Sequence, residues 1–217
     1  MNTIFDKIYC VNLDCDQERF EYVKQQFNKH NLEVTRFPGI LGSEIKEQDY
    51  PKYIKKDSIL LKNKCGSVGC YLSHIKIWDQ ILESDDINRA LILEDDIDLD
   101  RDFNQKLEKY YKQVPENWDL IYLGTGKMKG TNITNQIIKP SVGNYVGHNN
   151  GTFGYIIKKS SIPKLKKLIL PIDHKTIDYM IRSNFGKIKA YFFINKIIKH
   201  NYEFTPTKKL LDRKELI

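Results

Sequence analysis

The chain has 217 residues, of which 41% are hydrophobic and 29% charged, so it is long and apolar enough to bury a core and is not a disordered segment. Lysine and arginine number 35 against 28 acidic residues, a formal net charge of +7. Because most of these cations are lysine, a flexible point charge, we interpret the excess mainly as a solvated surface and expect no nucleic-acid partner.

The first forty residues alternate between strand and helix patterns. Residues 8–11 form a continuous apolar run, which predicts a strand buried on both faces. Phe20, Val23 and Phe27 then recur at helical spacing, and residues 34–37 predict a second strand. Strand, helix, strand is the expected start of an α/β fold.

The middle of the chain holds the clearest helical period. Residues 43–65 are charged and lack a steady period, so they predict irregular structure or a short helix. A break at Gly66 then precedes a helix whose apolar face consists of Val68, Tyr71, Leu72, Ile75, Trp78 and Leu82. Residues 90–93 predict a strand, and residues 103–111 predict a helix.

The remaining elements follow the same alternation. Strands are predicted at residues 119–123, 153–157 and 189–194, and a helix at residues 177–185, with short strand-like pieces in the Gly- and Asn-rich stretch before Gly151. We find no internal repeat and no interdomain linker. We therefore predict one domain over residues 1–217.

The sequence also limits where the protein works. No apolar run is long enough to cross a bilayer, and no signal peptide is recognised at the start, so we expect a reduced, cytoplasmic protein whose basic surface could touch a membrane peripherally. The four cysteines lack the Cys-x-x-Cys spacing and an accompanying histidine cluster, and we therefore expect no zinc site.

Five carboxylates are concentrated in the stretch ALILEDDIDLD, residues 90–100. Glu94, Asp95 and Asp96 directly follow the predicted strand, where open α/β sheets bind ligands. Crowded carboxylates repel one another unless a cation joins them, and Mg²⁺ and Mn²⁺ prefer carboxylate oxygen. We therefore predict that Glu94, Asp95 and Asp96 hold a divalent ion, which in turn can bind a diphosphate.

An alternative is that these acids begin the next helix, where negative charge favours the helix dipole. This explains Asp100 and Asp102 well but explains three acids directly after a buried strand poorly. Asp98 fits either interpretation.

Five segments together resemble glycosyltransferase family 25, which contains bacterial lipooligosaccharide galactosyltransferases and collagen hydroxylysine glycosyltransferases. They are IYCVNLD with Arg19, VGCYLSH with Trp78, ALILEDD, WDLIYLG and GTFGY, at residues 8–14, 68–74, 90–96, 118–124 and 151–155. The resemblance implies a GT-A-type nucleotide-diphosphosugar transferase fold, with a central, mostly parallel sheet flanked by helices. It also implies a UDP-sugar donor, a Mn²⁺ or Mg²⁺ ion and inverting transfer of galactose or glucose to a glycan or hydroxylysine hydroxyl.

The resemblance assigns roles residue by residue. The family's metal motif falls on Glu94, Asp95 and Asp96, and its downstream aspartate on Asp178, which becomes the candidate catalytic base, with Asp173 as a competitor. The remaining donor-binding candidates are Asn12, Leu13, Arg19, Ser73, His74, Gly151 and Thr152.

Two further assignments have less support. The loop carrying His148, Asn149 and Asn150 could position a ligand or simply form a turn. His200 is a candidate late metal ligand. Two other function classes remain open: a metal-dependent phosphoryl-transfer enzyme such as a nuclease or nucleotidyltransferase, because clustered aspartates also serve there, and a non-catalytic binding module.

Overall fold

The structure is a computed structural model that describes residues 4–63, 65–142 and 151–204. The strands in these ranges are β1 (Lys7–Asn12), β2 (Thr35–Pro38), β3 (Arg89–Glu94), β4 (Ile97–Leu99), β5 (Leu120–Tyr122), β6 (Gly130–Asn132), β7 (Ile137–Pro140), β8 (Gly154–Lys158), β9 (Ala190–Phe193) and β10 (Ile198–His200). The α-helices are α1 (Gln17–Lys29), α2 (Ile59–Asn63), α3 (Cys65–Glu83), α4 (Phe103–Tyr111), α5 (Ile162–Ile169) and α6 (Ile177–Ser183).

The described strands other than β4 and β10 form one sheet in the order β2-β1-β3-β8-β5-β9-β7-β6. β1 is parallel to β2 and β3, and β5 is parallel to β9. β8 lies antiparallel between β3 and β5, and β7 lies antiparallel between β9 and β6. Every strand of the sheet except β7 and β8 therefore points the same way, which confirms the predicted α/β fold with a mostly parallel sheet flanked by helices.

The sheet separates two hydrophobic cores because side chains alternate along a strand. On β3, Ala90 and Ile92 pack into the core under α3, α5 and α6, whereas Leu91 and Leu93 pack into the core under α1 and α4. The buried side of α3 includes Trp78, as its apolar period predicts. This alternation fixes which residues beyond the end of β3 face which layer.

The helices mostly begin and end where the sequence pattern places them. The bounds of α4, Phe103–Tyr111, match the prediction, but α3 begins at Cys65, so the break expected at Gly66 is wrong. Gly66 is exposed and a Cβ there would meet no heavy atom within 4 Å, so the packing around the first turn of α3 does not require a glycine. None of the described helices has the length and apolarity needed to span a bilayer.

A separate two-stranded sheet was not predicted. β10 pairs antiparallel with β4, so that His200 faces Ile97 in the register, and the Asn201 amide donates to the Asp96 carbonyl at 2.7 Å. This pairing brings residues near 200 to the residues that follow β3. Gly124 allows the close approach, because a Cβ at that position would lie 2.1 Å from the Ile198 carbonyl oxygen.

We expect Gly124→Ala to destabilise the protein by about 1–3 kcal/mol, since the new methyl group would meet backbone that can move only if β10 moves. Urea denaturation of the variant measures this loss. Gly66→Ala is the matched control, and it should be neutral or stabilising by up to about 1 kcal/mol because it adds a helix-favouring residue in open space. Equal effects of the two substitutions would contradict the close packing of β10 on Gly124.

Candidate active site

The candidate site lies at the edge of the sheet where β1, β3 and β5 end. Because β8 is antiparallel, its beginning meets this edge too, and the Glu94 amide donates to the Phe153 carbonyl at 3.1 Å. The sequence-predicted segments around Asn12, Glu94 and Thr152 are thereby brought together, although they are far apart in the chain.

Strand alternation divides the acidic triplet. Glu94 continues the series Ala90 and Ile92 and contacts residues on the α3 side of the sheet, whereas Asp95 contacts Asn12 and Arg19 on the α1 side. Among the described residues, the three carboxylates do not form a group of potential ligand atoms within 4.8 Å of one another. In this arrangement Asp95 and Asp96 share a partner and Glu94 is turned away, and that all three hold one ion stays a prediction.

Asp95 is held by Asn12, the last residue of β1, and by Arg19, in the first turn of α1. The Asn12 amide donates to Asp95 Oδ2 at 2.7 Å, and Arg19 Nη1 lies 3.2 Å from Asp95 Oδ1. Burial raises the pKa of Asp95 to about 6, against the opposing effects of Arg19 and Asn12. Asp95 is therefore an acid whose ionised form depends on nearby positive charge.

Asp96 contacts both the Arg19 guanidinium and His200. Arg19 Nη2 donates to Asp96 Oδ2 at 3.1 Å and to the Phe204 carbonyl at 2.6 Å, and His200 Nε2 lies 3.3 Å from Asp96 Oδ2. The hydrogen bond with Asp96 raises the pKa of His200, against a smaller lowering by burial. The other oxygen, Asp96 Oδ1, is buried and has no hydrogen-bond partner.

This donor set suits a hard divalent ion. Two carboxylates share one guanidinium with His200 beside them, and the unpartnered Asp96 Oδ1 lacks the cation or hydrogen that a buried carboxylate oxygen requires. Carboxylate oxygen and an imidazole nitrogen are ligands that Mn²⁺ accepts. Asp95, Asp96 and His200 are the residues that would hold the ion, but in the described residues their ligand atoms do not all lie within 4.8 Å of one another, so binding would draw them together.

Glu94 lies in a different group, with a side chain that is 24% exposed. The Thr152 hydroxyl donates to Glu94 Oε1 at 2.7 Å, and His74 Nε2 lies 3.4 Å from the same oxygen. His74 is fully buried, and its Nδ1 lies 2.9 Å from the Tyr155 hydroxyl. The predicted donor-binding residues His74 and Thr152 are thus neighbours of Glu94.

Asp178 lies in the first turn of α6, close to this group. The Gly151 amide, with φ of 94°, donates to Asp178 Oδ2 at 3.5 Å, and the Thr176 hydroxyl donates to Asp178 Oδ1. The competing Asp173 instead forms an ion pair with Lys55 at 2.8 Å. Asp178 is therefore the better placed of the two candidate bases.

Two predicted donor residues serve the fold. Ser73 is 1% exposed, and its hydroxyl donates to the Gly69 carbonyl at 2.7 Å and accepts the Ile40 amide at 2.8 Å. These bonds tie α3 to the loop after β2 and use the hydroxyl proton, and the donor-binding role assigned to Ser73 stays a prediction. Leu13 is half-buried, and its carbonyl accepts the Asp16 amide at 3.0 Å in the turn before α1.

The sequence did not identify Arg36, which orients Asn12. Arg36 Nε donates to Asn12 Oδ1 at 2.8 Å, which leaves the Asn12 amide group facing Asp95. The sequence feature that could have indicated this role is an arginine in β2, the strand next to β1.

His148, Asn149 and Asn150 lie outside the described residues.

Known proteins resemble both the sequence and the fold. A family model described as Glycosyltransferase family 25 (LPS biosynthesis protein) matches residues 5–181. Procollagen galactosyltransferase 2 of Homo sapiens is 26% identical over 174 residues, 74% of this chain and 27% of that protein. A glycosyltransferase 25 family member of Drosophila melanogaster is 27% identical over 190 residues, 77% of this chain and 29% of that protein.

The chain thus spans less than a third of the length of these curated relatives. A solved glycosyltransferase involved in glycosylation of the major capsid of PBCV-1 aligns over 97% of this chain and 98% of its own, with a TM-score of 0.53 and 10% identity. That likeness concerns the fold alone and confirms the predicted GT-A-type architecture. With its family model covering most of the residues, the chain belongs to glycosyltransferase family 25.

Proposed function

We propose that this chain is a metal-dependent inverting glycosyltransferase that moves galactose or glucose from a UDP-sugar to a hydroxyl of a glycan or hydroxylysine. The observation that carries the proposal is the buried Asp95–Asp96 pair at the end of β3, with His200 beside it and one carboxylate oxygen unpartnered. Membership of glycosyltransferase family 25 and the names of the galactosyltransferase relatives support the reaction class.

The ion at Asp95, Asp96 and His200, when bound, supplies positive charge that stabilises the departing UDP. Arg19 is suited to the same task, because its guanidinium already lies against both carboxylates and can present N–H donors to a phosphate. Asn12 and Arg36 hold Asp95 in position from the β1 side. These residues together bind the diphosphate part of the donor.

Asp178 acts on the acceptor side. A carboxylate within reach of the attacking hydroxyl accepts its proton as the new glycosidic bond forms. The Gly151 amide and the Thr176 hydroxyl orient Asp178, and Glu94 with Thr152 lines the neighbouring surface. Attack from the face opposite the leaving UDP inverts the configuration at the sugar carbon.

Phosphoryl transfer on two metal ions is less well supported. Such sites place several carboxylates around ions about 3.5–4 Å apart. Here Arg19 lies against Asp95 and Asp96, and Glu94 is turned to His74. A guanidinium in this position suits a single ion with a diphosphate better than a second ion.

A thermal-shift assay with UDP and Mn²⁺, alone and together, tests the donor assignment. At concentrations about 100-fold above the dissociation constants, binding should add about 2.7 kcal/mol, which corresponds to a rise in melting temperature of roughly 5–10 °C for a chain of this size. GDP and AMP are the nucleotide controls. No shift with UDP at saturating Mn²⁺, or an equal shift with all three nucleotides, would contradict the proposal.

A further inference from the structure

A second cluster of potential metal ligands lies on the α3 side of the sheet. Cys70, His74 and Glu94 each offer one ligand atom, and these atoms lie within 4.8 Å of one another. Cys70 and His74 are four residues apart on α3, so their side chains lie on one helix face, and that face meets Glu94 at the end of β3. The four cysteines alone do not have the spacing of a zinc site. The fold instead brings together one cysteine, one histidine and a glutamate that is distant in the sequence.

One ring nitrogen of His74, Nε2, is directed toward this cluster and has no hydrogen-bond partner. His74 is fully buried, and its Nε2 has no hydrogen bond although it lies 3.4 Å from Glu94 Oε1. Zinc–nitrogen and zinc–oxygen bonds of about 2.0–2.2 Å at tetrahedral angles place the two ligand atoms about 3.4 Å apart. The His74–Glu94 separation therefore fits two ligands of one ion without rearrangement.

Tyr155 supports the imidazole from its other side. The Tyr155 hydroxyl accepts from the Trp78 indole at 3.0 Å and lies 2.9 Å from His74 Nδ1. Because a hydroxyl can accept as well as donate, Nδ1–H can donate to Tyr155 and leave the Nε2 lone pair directed at the cluster. Metal-bound histidines are commonly fixed in this way by a partner at the second nitrogen.

The chemistry of the three ligands selects a thiophilic ion. A thiolate, an imidazole and a carboxylate together suit Zn²⁺, whereas the hard ions expected at Asp95 and Asp96 prefer oxygen. One thiolate and one carboxylate also balance the two positive charges of the ion, which matters where His74 is fully buried. Thr152 contacts both Cys70 and Glu94, so its hydroxyl or a water completes four ligands.

We infer that Cys70, His74 and Glu94 form a Zn²⁺-binding site, separate from the site at Asp95 and Asp96. The two sites are adjacent but have different contacts, because Glu94 lies against His74 whereas Asp96, beyond the end of β3, lies against Arg19 and His200. A zinc ion bound here joins α3 to the end of β3 and to Thr152, and therefore raises the melting temperature of the protein.

Cobalt substitution tests the inference on the folded chain. After dialysis against Co²⁺ in the presence of a phosphine reductant, the protein should show a thiolate-to-cobalt charge-transfer band in the near ultraviolet. After dialysis against Zn²⁺, elemental analysis should find one equivalent of zinc per chain. Cys70→Ser should abolish the band and weaken zinc binding at least about tenfold. Cys15→Ser, which removes an exposed thiol, should change neither.

Asp96→Asn separates the two sites, because it should leave the cobalt band unchanged even if it removes Mn²⁺-dependent binding of UDP. Circular dichroism and thermal melting show whether each variant is folded. The cobalt spectrum of the unmodified protein tests the site even if a variant fails to fold. Absence of the band in the unmodified protein, or its persistence in Cys70→Ser, would overturn the inference. The outcome is independent of whether UDP binds.

Discussion

Replacing Asp96 with asparagine should reduce sugar transfer at least about 100-fold while leaving the protein folded. The substitution keeps the shape of the side chain but removes the charge next to His200 and at the buried, unpartnered Oδ1. Arg19 retains Asp95 and the Phe204 carbonyl as partners, but Asp96 is buried and also pairs with His200, so the variant should lose about 1–3 kcal/mol of stability. Initial rates with UDP-galactose and UDP-glucose across a Mn²⁺ series measure the effect.

The Mn²⁺ series distinguishes loss of the ion from loss of packing. If Asp96 binds the ion, the variant should need more Mn²⁺ to reach its own maximal rate, by about tenfold or more. Asp98→Asn is the matched control from the same acidic stretch, because Asp98 accepts hydrogen bonds from Tyr22 and Asn201 and the new amide oxygen can still accept them. An equal loss in Asp98→Asn would contradict the assignment of Asp96.

The sequence was sufficient to predict the strands that position this site. Continuous apolar runs predicted β1 and β3, and acids directly after a buried run predicted that Asp95 and Asp96 lie at a strand end. These features are local, so they can be read from a short window of sequence. Asn12 and Arg19, assigned to the site through the resemblance, do contact the acidic pair.

The division of the acidic triplet was also present in the sequence but was overlooked. Neighbouring residues at the end of an extended strand point to opposite faces, so Glu94 and Asp95 could not both continue in one direction. Their proximity in sequence suggested a single site. The structure instead gives Glu94 to the α3 side, with His74 and Thr152.

The sequence made His200 a candidate metal ligand but did not show where it lies relative to the acidic residues. Its position depends on β10, a strand of three residues that pairs with β4 about a hundred residues earlier, and such short strands have too few residues to show a period. The reversed direction of β8 is likewise set by its neighbours β3 and β5 rather than by its own sequence. Long-range pairing therefore accounts for what sequence patterns did not reveal.

Replacing Asp178 with asparagine should lower kcat by about 100- to 10,000-fold with little change in the KM for the UDP-sugar. The amide cannot accept the acceptor's proton, but it retains the shape of the side chain beside Gly151 and Thr176. Asp178 is held by the Gly151 amide and the Thr176 hydroxyl, whereas Arg19 holds Asp95 and Asp96, so binding of UDP and Mn²⁺ in the thermal-shift assay should persist. Steady-state rates with varied donor and varied acceptor separate the two effects.

Asp173→Asn is the control that decides between the two candidate bases. Asp173 lies in a solvent-exposed ion pair with Lys55, so its loss should alter the rate and the stability little. If Asp178 merely favours the start of α6 through the helix dipole, its asparagine variant would lose about 0.3–1 kcal/mol of stability and keep its rate. A full rate in Asp178→Asn together with a large loss of rate in Asp173→Asn would assign the role of base to Asp173. The reason is that loss of the group that accepts the proton lowers kcat but leaves binding of the donor unchanged.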